Sequence, residues 1–262
     1  MNKKIYLIAN WKMQLLDSEA VKLTKELKNA ITDEQNAEIT LCPSFTAISK
    51  VSEIIKDSSI KLGCQNIFYH DKGQYTGEIS PTQLKELSVK YAIIGHSERR
   101  KYLNETDEDV NRKAKICLDN NITPIICVGE TFDERRSGQT DLILIKQISK
   151  AVQDINLPKG SKNNSRLPDG QVIIAYEPVW VIGSGQAIKP EDAQHVAQVM
   201  QHELLNFFDK QIIDKKISII YGGSVDESNV NDFIKPGLLD GVLVGGASLS
   251  TENFLPMIKL LK

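Results

Sequence analysis

The chain has 262 residues, of which 41% are hydrophobic and 25% charged, and 32 basic against 34 acidic side chains leave a formal net charge of −2. That composition is ordinary for a soluble globular protein long enough to bury a large core unaided. The near-zero charge excludes a global basic field for nucleic acid or an anionic membrane surface, so any anion site has to be built locally.

The first apolar run, at 5–9, is too short for the hydrophobic region of a signal peptide, and polar Asn10 and Lys12 follow it at once. No run approaches the ~18 apolar residues of a membrane span. Similar short runs recur at 38–42, 60–64, 91–95, 124–128, 172–176, 217–221 and 241–244. Most are continuously apolar rather than alternating, which is the pattern of strands covered on both faces. Helical periodicity fills the intervals, at 18–30 with Val21, Leu23 and Leu27, at 107–120 with Val110, Ala114 and Cys117, and at 191–208 with Val196, Met200 and Leu204. Ser80-Pro81-Thr82-Gln83 supplies an N-cap, a first-turn proline and a capping-box glutamine. Alternating strands and helices imply a parallel sheet, and eight strands argue for an α/β fold closed into a single (β/α)8 barrel. No shift in composition divides the chain, so 1–262 reads as one domain. The polar stretch 158–170, with two prolines, reads as an αβ connection on the barrel face opposite the chemistry.

Cys42, Cys64, Cys117 and Cys127 form no CxxC pair and sit in or beside apolar runs. They read as small buried thiols of a reducing compartment, and the cytoplasm is the expected location. Neither an HExxH motif nor a helical pair of histidines supports a metal, and no dinucleotide fingerprint or Walker loop points to a cofactor.

Catalytic groups of such barrels stand at the C-terminal ends of the strands. That rule selects Asn10, Trp11 and Lys12 after the first strand, His96 after the fourth, Glu177 after the sixth, and Gly222-Gly223-Ser224 and Gly245-Gly246 after the last two. Of the four histidines only His96 ends a strand. Glu177 precedes Pro178-Val179-Trp180-Val181-Ile182, an apolar run whose exposure would be costly unless it closes over something. Two glycine pairs directly after neighbouring strands match a backbone-amide cradle for phosphate.

Asn10-Trp11-Lys12, Gly95-His96-Ser97-Glu98-Arg99, Ala175-Tyr176-Glu177-Pro178-Val179-Trp180, Tyr221-Gly222-Gly223-Ser224-Val225 and Val244-Gly245-Gly246-Ala247-Ser248-Leu249 resemble the signature segments of the triosephosphate isomerases, in family order and across nearly the whole chain. The resemblance implies a cofactor-free glycolytic and gluconeogenic isomerase of triose phosphate, working by proton transfer through an enediol(ate). It implies Glu177 as base, His96 as electrophile, Lys12 as fixed charge, and Asn10, Gly183, Ser224, Gly245 and Gly246 as substrate contacts. Glu98 is implied as a partner that places Lys12. The lid would comprise Pro178, Val179, Trp180, Val181, Ile182, Gly183, Ser184, Gly185, Gln186 and Ala187, departing from the usual Ala and Thr at Val181 and Ser184. Gln65, Asn66, Tyr75 and Thr76 resemble the family's dimer-forming loop at 65–80, which implies a homodimer. Two rivals remain at this level. One is a different sugar-phosphate isomerase barrel, which would share the glycine turns without requiring all three polar groups. The other is a catalytically silent barrel, which would be expected to have lost at least one of them.

Overall fold

The computed structural model describes residues 4–32, 36–157, 171–234 and 239–261. The predicted connection at 158–170 lies outside the described residues. The first half runs β1 (Ile5–Asn10), α1 (Asp17–Ala30), β2 (Ala37–Cys42), α2 (Ile48–Ile55), β3 (Lys61–Cys64), α3 (Pro81–Glu86), β4 (Tyr91–Ile94), α4 (Ser97–Leu103), α5 (Asp107–Asp119) and β5 (Thr123–Val128). The second half runs α6 (Phe132–Arg136), α7 (Thr140–Val152), β6 (Val172–Tyr176), α8 (Pro190–Leu204), α9 (Lys210–Lys216), β7 (Ile217–Tyr221), α10 (Val230–Ile234), β8 (Gly241–Val244) and α11 (Thr251–Leu260). The eight strands form one closed barrel in sequence order, every neighbouring pair parallel, and β1 meets β8 from Tyr6↔Gly241 to Ala9↔Val244.

Each strand begins and ends within one residue of its predicted bounds. The reason is visible in how the strands are buried. In β1, Tyr6 and Ile8 point into the barrel lumen with Ile93, Ile125 and Ile220, while Leu7 and Ala9 face the helical layer. Both faces are dry, so every position is apolar and the run stands out. Each such fully buried isoleucine or leucine contributes roughly 1.5–3 kcal/mol. The capping box before α3 forms as expected, with Ser80 accepting from the Thr82 N–H and Gln83 accepting from the Ser80 N–H. The helix predicted over 191–208 stops at Leu204 instead. There the N–H of Leu205 donates to the His202 carbonyl and that of Phe207 to Leu204, tighter 3₁₀-type bonds that end the α-helix before Phe208.

Candidate active site

The C-terminal mouth of the barrel opens into a cavity of about 380 Å³. Asn10, Lys12, His96, Glu177, Gly183, Ser224, Gly245 and Gly246, all selected from the sequence, line it.

His96 and Glu177 share one platform, the first turn of α4. His96 is the N-cap of that helix, and its Nδ1 accepts the Glu98 backbone N–H at 3.2 Å. A nitrogen that accepts carries no hydrogen, which leaves the ring proton to Nε2. The Ser97 N–H donates to Glu177 Oε2 at 2.9 Å. Both are orphan donors of a helix start, turned here to holding His96 and Glu177. Glu177 Oε1 lies 3.0 Å from His96 Nε2 but out of hydrogen-bond alignment, so this buried oxygen has no hydrogen-bond partner. Two glycines make the approach feasible. Gly95, just before His96, has φ +68°, and a Cβ there would come within 2.7 Å of Val110. A Cβ on Gly129 would fall 1.7 Å from the Glu177 carbonyl oxygen, so only glycine lets the end of β5 pass behind Glu177.

Lys12 completes the polar wall. Its Nζ meets Glu98 Oε1 at 2.5 Å, and its Cε would be 3.5 Å from a methyl placed on Gly245. The ammonium therefore sits beside the last glycine turn.

The segment after β6 leaves the strand through a 3₁₀ turn at Val179–Val181. Its entry is held by Glu130, a fully buried carboxylate that accepts from Tyr176 Oη at 3.1 Å and Trp180 Nε1 at 3.0 Å. Arg135 stacks on the Trp180 ring 4.6 Å from its centroid and binds Asp192 of α8 at 2.9 Å. At its far end the Ile188 N–H donates to Tyr221 Oη at 3.3 Å, and burial pushes the Tyr221 hydroxyl up to about 12. In the middle, the carbonyl of Val181 accepts both the Ser184 and the Ser224 hydroxyls at 2.8 Å. Residues 183–187 are exposed. A strap tied at both ends, with an exposed centre beside a pocket, has the anatomy of a lid.

Two residues beside the site, Glu130 and Cys127, were not selected from the sequence, and two that were, Gln65 and Asn66, make contacts within the chain. Glu130 stands at the C-terminal end of β5, and the strand-end rule that selected His96 would have flagged it. Cys127, read as a small buried thiol, lies beside Glu177; burial first, and then that carboxylate, holds its thiol well above the ordinary value. Gln65, assigned to the dimer-forming loop, binds the Lys12 carbonyl through its amide at 2.8 Å within the chain. Asn66, assigned to the same loop, accepts from buried Lys113 at 2.8 Å. Lys113 also binds Glu105; burial alone would raise that carboxyl, but the Lys113 ammonium and the Arg99 guanidinium hold it below the usual range. Tyr75 and Thr76 are exposed. Among the described residues no group of histidine, cysteine or acidic side chains is arranged to hold a metal ion, and no helix is long and apolar enough to cross a membrane.

A closed (β/α)8 barrel carrying a carboxylate, an imidazole and an ammonium around a glycine-turn pocket defines an acid–base enzyme for a small anionic substrate. The family model described as triosephosphate isomerase matches residues 5–261. Similar curated proteins include the triosephosphate isomerases of Endomicrobium trichonymphae, 43% identical over 99% of this chain and 100% of its own, and of Dictyoglomus turgidum, 40% identical over the same shares. The crystal structure of triosephosphate isomerase from Bartonella henselae superposes with a TM-score of 0.82 at 32% identity, covering 98% of each chain. The chain belongs to the triosephosphate isomerase family.

Proposed function

We propose that Glu177, His96 and Lys12 carry the interconversion of dihydroxyacetone phosphate and D-glyceraldehyde 3-phosphate in this chain. The observation that carries this reading is that Glu177, whose buried Oε1 has no hydrogen-bond partner, lines the same cavity as His96 and Lys12. The phosphate dianion seats against the N–H groups of Gly245, Gly246, Ser224 and Gly183, with Lys12 neutralising part of its charge. Its three-carbon body then extends toward His96 and Glu177. A carbonyl and a hydroxyl on adjacent carbons need one base, which takes a proton from one carbon and returns it to the other. Glu177 serves, once its carboxylate leaves the Ser97 N–H and turns to the substrate. His96 donates from Nε2 to the oxygen on which charge develops, and Lys12 and Asn10 sit on the same side. The lid at 178–187 closes over the pocket, excluding water from an enediolate that would otherwise lose phosphate. No step requires a cofactor.

Eight strands from both ends of the chain close one barrel, which supports reading 1–262 as one domain. The four cysteines are free and buried, which supports a cytoplasmic enzyme. A coupled assay at catalytic protein concentration, supplied with triose phosphate, tests the activity. Turnover indistinguishable from the uncatalysed rate would leave the silent-barrel reading standing.

The same reading includes a homodimer formed through the loop at 65–80. Tyr75 is 42% exposed at its tip, and Met13, Leu16 and Tyr102 expose further apolar surface at 95%, 70% and 68%. Light scattering of the purified protein should return the mass of two chains at micromolar concentration. A fully active species of 29.3 kDa would remove the dimer from the account.

A further inference from the structure

Lys12 stands in the left-handed backbone region, with φ +51°. A long unbranched side chain keeps that conformation only where its surroundings hold it. Asn10 Oδ1 accepts the Lys12 N–H at 3.1 Å on one side of the residue. On the other side Gln65 Nε2 donates to the Lys12 carbonyl at 2.8 Å. The same nitrogen donates its second hydrogen to the Cys42 carbonyl at 2.9 Å, an oxygen that also receives the Trp11 N–H at 3.2 Å. Cys42 is the last residue of β2, and Gln65 directly follows β3. One half-buried amide, rooted at the third strand, therefore fastens the turn after the first strand to the end of the second.

We propose that Gln65 is a positioning residue for Lys12: it keeps that residue left-handed, so that the ammonium projects toward the phosphate turn at Gly245. The inference rests on the role assigned to Lys12 above. A carboxamide is suited to the task because it offers two N–H donors at a fixed angle, one for the Lys12 carbonyl and one to anchor it on the Cys42 carbonyl. Without them the turn relaxes toward the right-handed region, the Cα–Cβ direction rotates, and Nζ leaves the pocket wall. Displacement of a substrate-positioning group by about 1 Å can cost a hundredfold in rate.

The test is a double-mutant cycle on the full chain, read with dihydroxyacetone phosphate. Gln65→Met keeps the shape and removes the donors. Its kcat/KM should fall about tenfold to a hundredfold, mainly through KM, with the mass in light scattering unchanged. In the Lys12→Met background the same substitution should change kcat/KM by less than about twofold, because two residues acting through one channel are not additive. Equal losses in both backgrounds, or no loss in the Lys12 background, would overturn the proposal. So would an activity loss that tracks dissociation into single chains, since Gln65 would then serve the interface. Should the methionine variant fold poorly, Gln65→Asn gives the same reading, because its amide is one methylene too short to reach both carbonyls. A Lys12→Met enzyme with unaltered kinetics would remove the role of Lys12 itself and this inference with it. A crippled Lys12→Met enzyme beside a normal Gln65→Met enzyme would remove the inference alone.

Discussion

Glu177→Gln should lower kcat by about a thousandfold or more while leaving KM and the melting temperature close to those of the parent. An amide has no basic lone pair to take a carbon-bound proton, and general-base assistance contributes roughly 10²–10⁴-fold before positioning is counted. The fold should survive for a local reason. The Ser97 N–H needs only an oxygen acceptor, and the glutamine carbonyl supplies one in place of Oε2. The buried Oε1 has no hydrogen-bond partner to lose. Steady-state kinetics beside a thermal melt decides the matter. Near-parental turnover would remove Glu177 as the base, and a collapsed melting transition would mean that the residue is chiefly structural.

Lys12→Met should damage binding and rate together. A unit charge about 4 Å from another is worth roughly 4 kcal/mol at the effective dielectric near a protein surface, close to a thousandfold. The substrate keeps its phosphate charge throughout the reaction, so part of that loss falls on KM. The charge that develops on the enediolate oxygens appears only in the transition state, so the rest falls on kcat. The variant also leaves Glu98 without the partner it meets at 2.5 Å, adding an uncompensated carboxylate near the phosphate. Raising the ionic strength should weaken substrate binding in the parent and do so less in the variant, because the screened attraction is already gone. A KM unchanged within twofold would separate Lys12 from the phosphate.

The strands were legible because barrel closure buries both faces of each one. Ile125-Ile126-Cys127-Val128 is apolar at every position since the lumen takes some side chains and the helices take the rest. His96 and Glu177 were legible because a polar residue at the end of such a run cannot be there for packing. Glu130 obeys the same rule and was passed over, since no apolar segment follows it to draw attention. Its role emerges from Tyr176, Trp180 and Arg135, which reach it from elsewhere in the chain. Gln65 was selected only as part of the loop at 65–80, and its contacts with the first two strands were not legible for a related reason. Its amide turns inward to the carbonyls of Lys12 and Cys42, residues 53 and 23 positions away that only the fold brings to it.

By itself, then, the amino-acid sequence determined the order of the strands, the strand ends that line the cavity, and the glycine turns beside it. These are local properties: periodicity reports which faces are dry, and a glycine reports backbone freedom where it stands. Tertiary structure alone decided how distant residues meet. Pairing of β1 with β8 closes the circle and sets Lys12 against Gly245. The first turn of α4 brings a backbone N–H to Glu177 and another to His96, leaving 3.0 Å between the two side chains. Burial of Glu130 ties the segment after β6 to the end of β5. No periodicity encodes these contacts, because each depends on the closure of the sheet and on which residues that closure turns toward the same space.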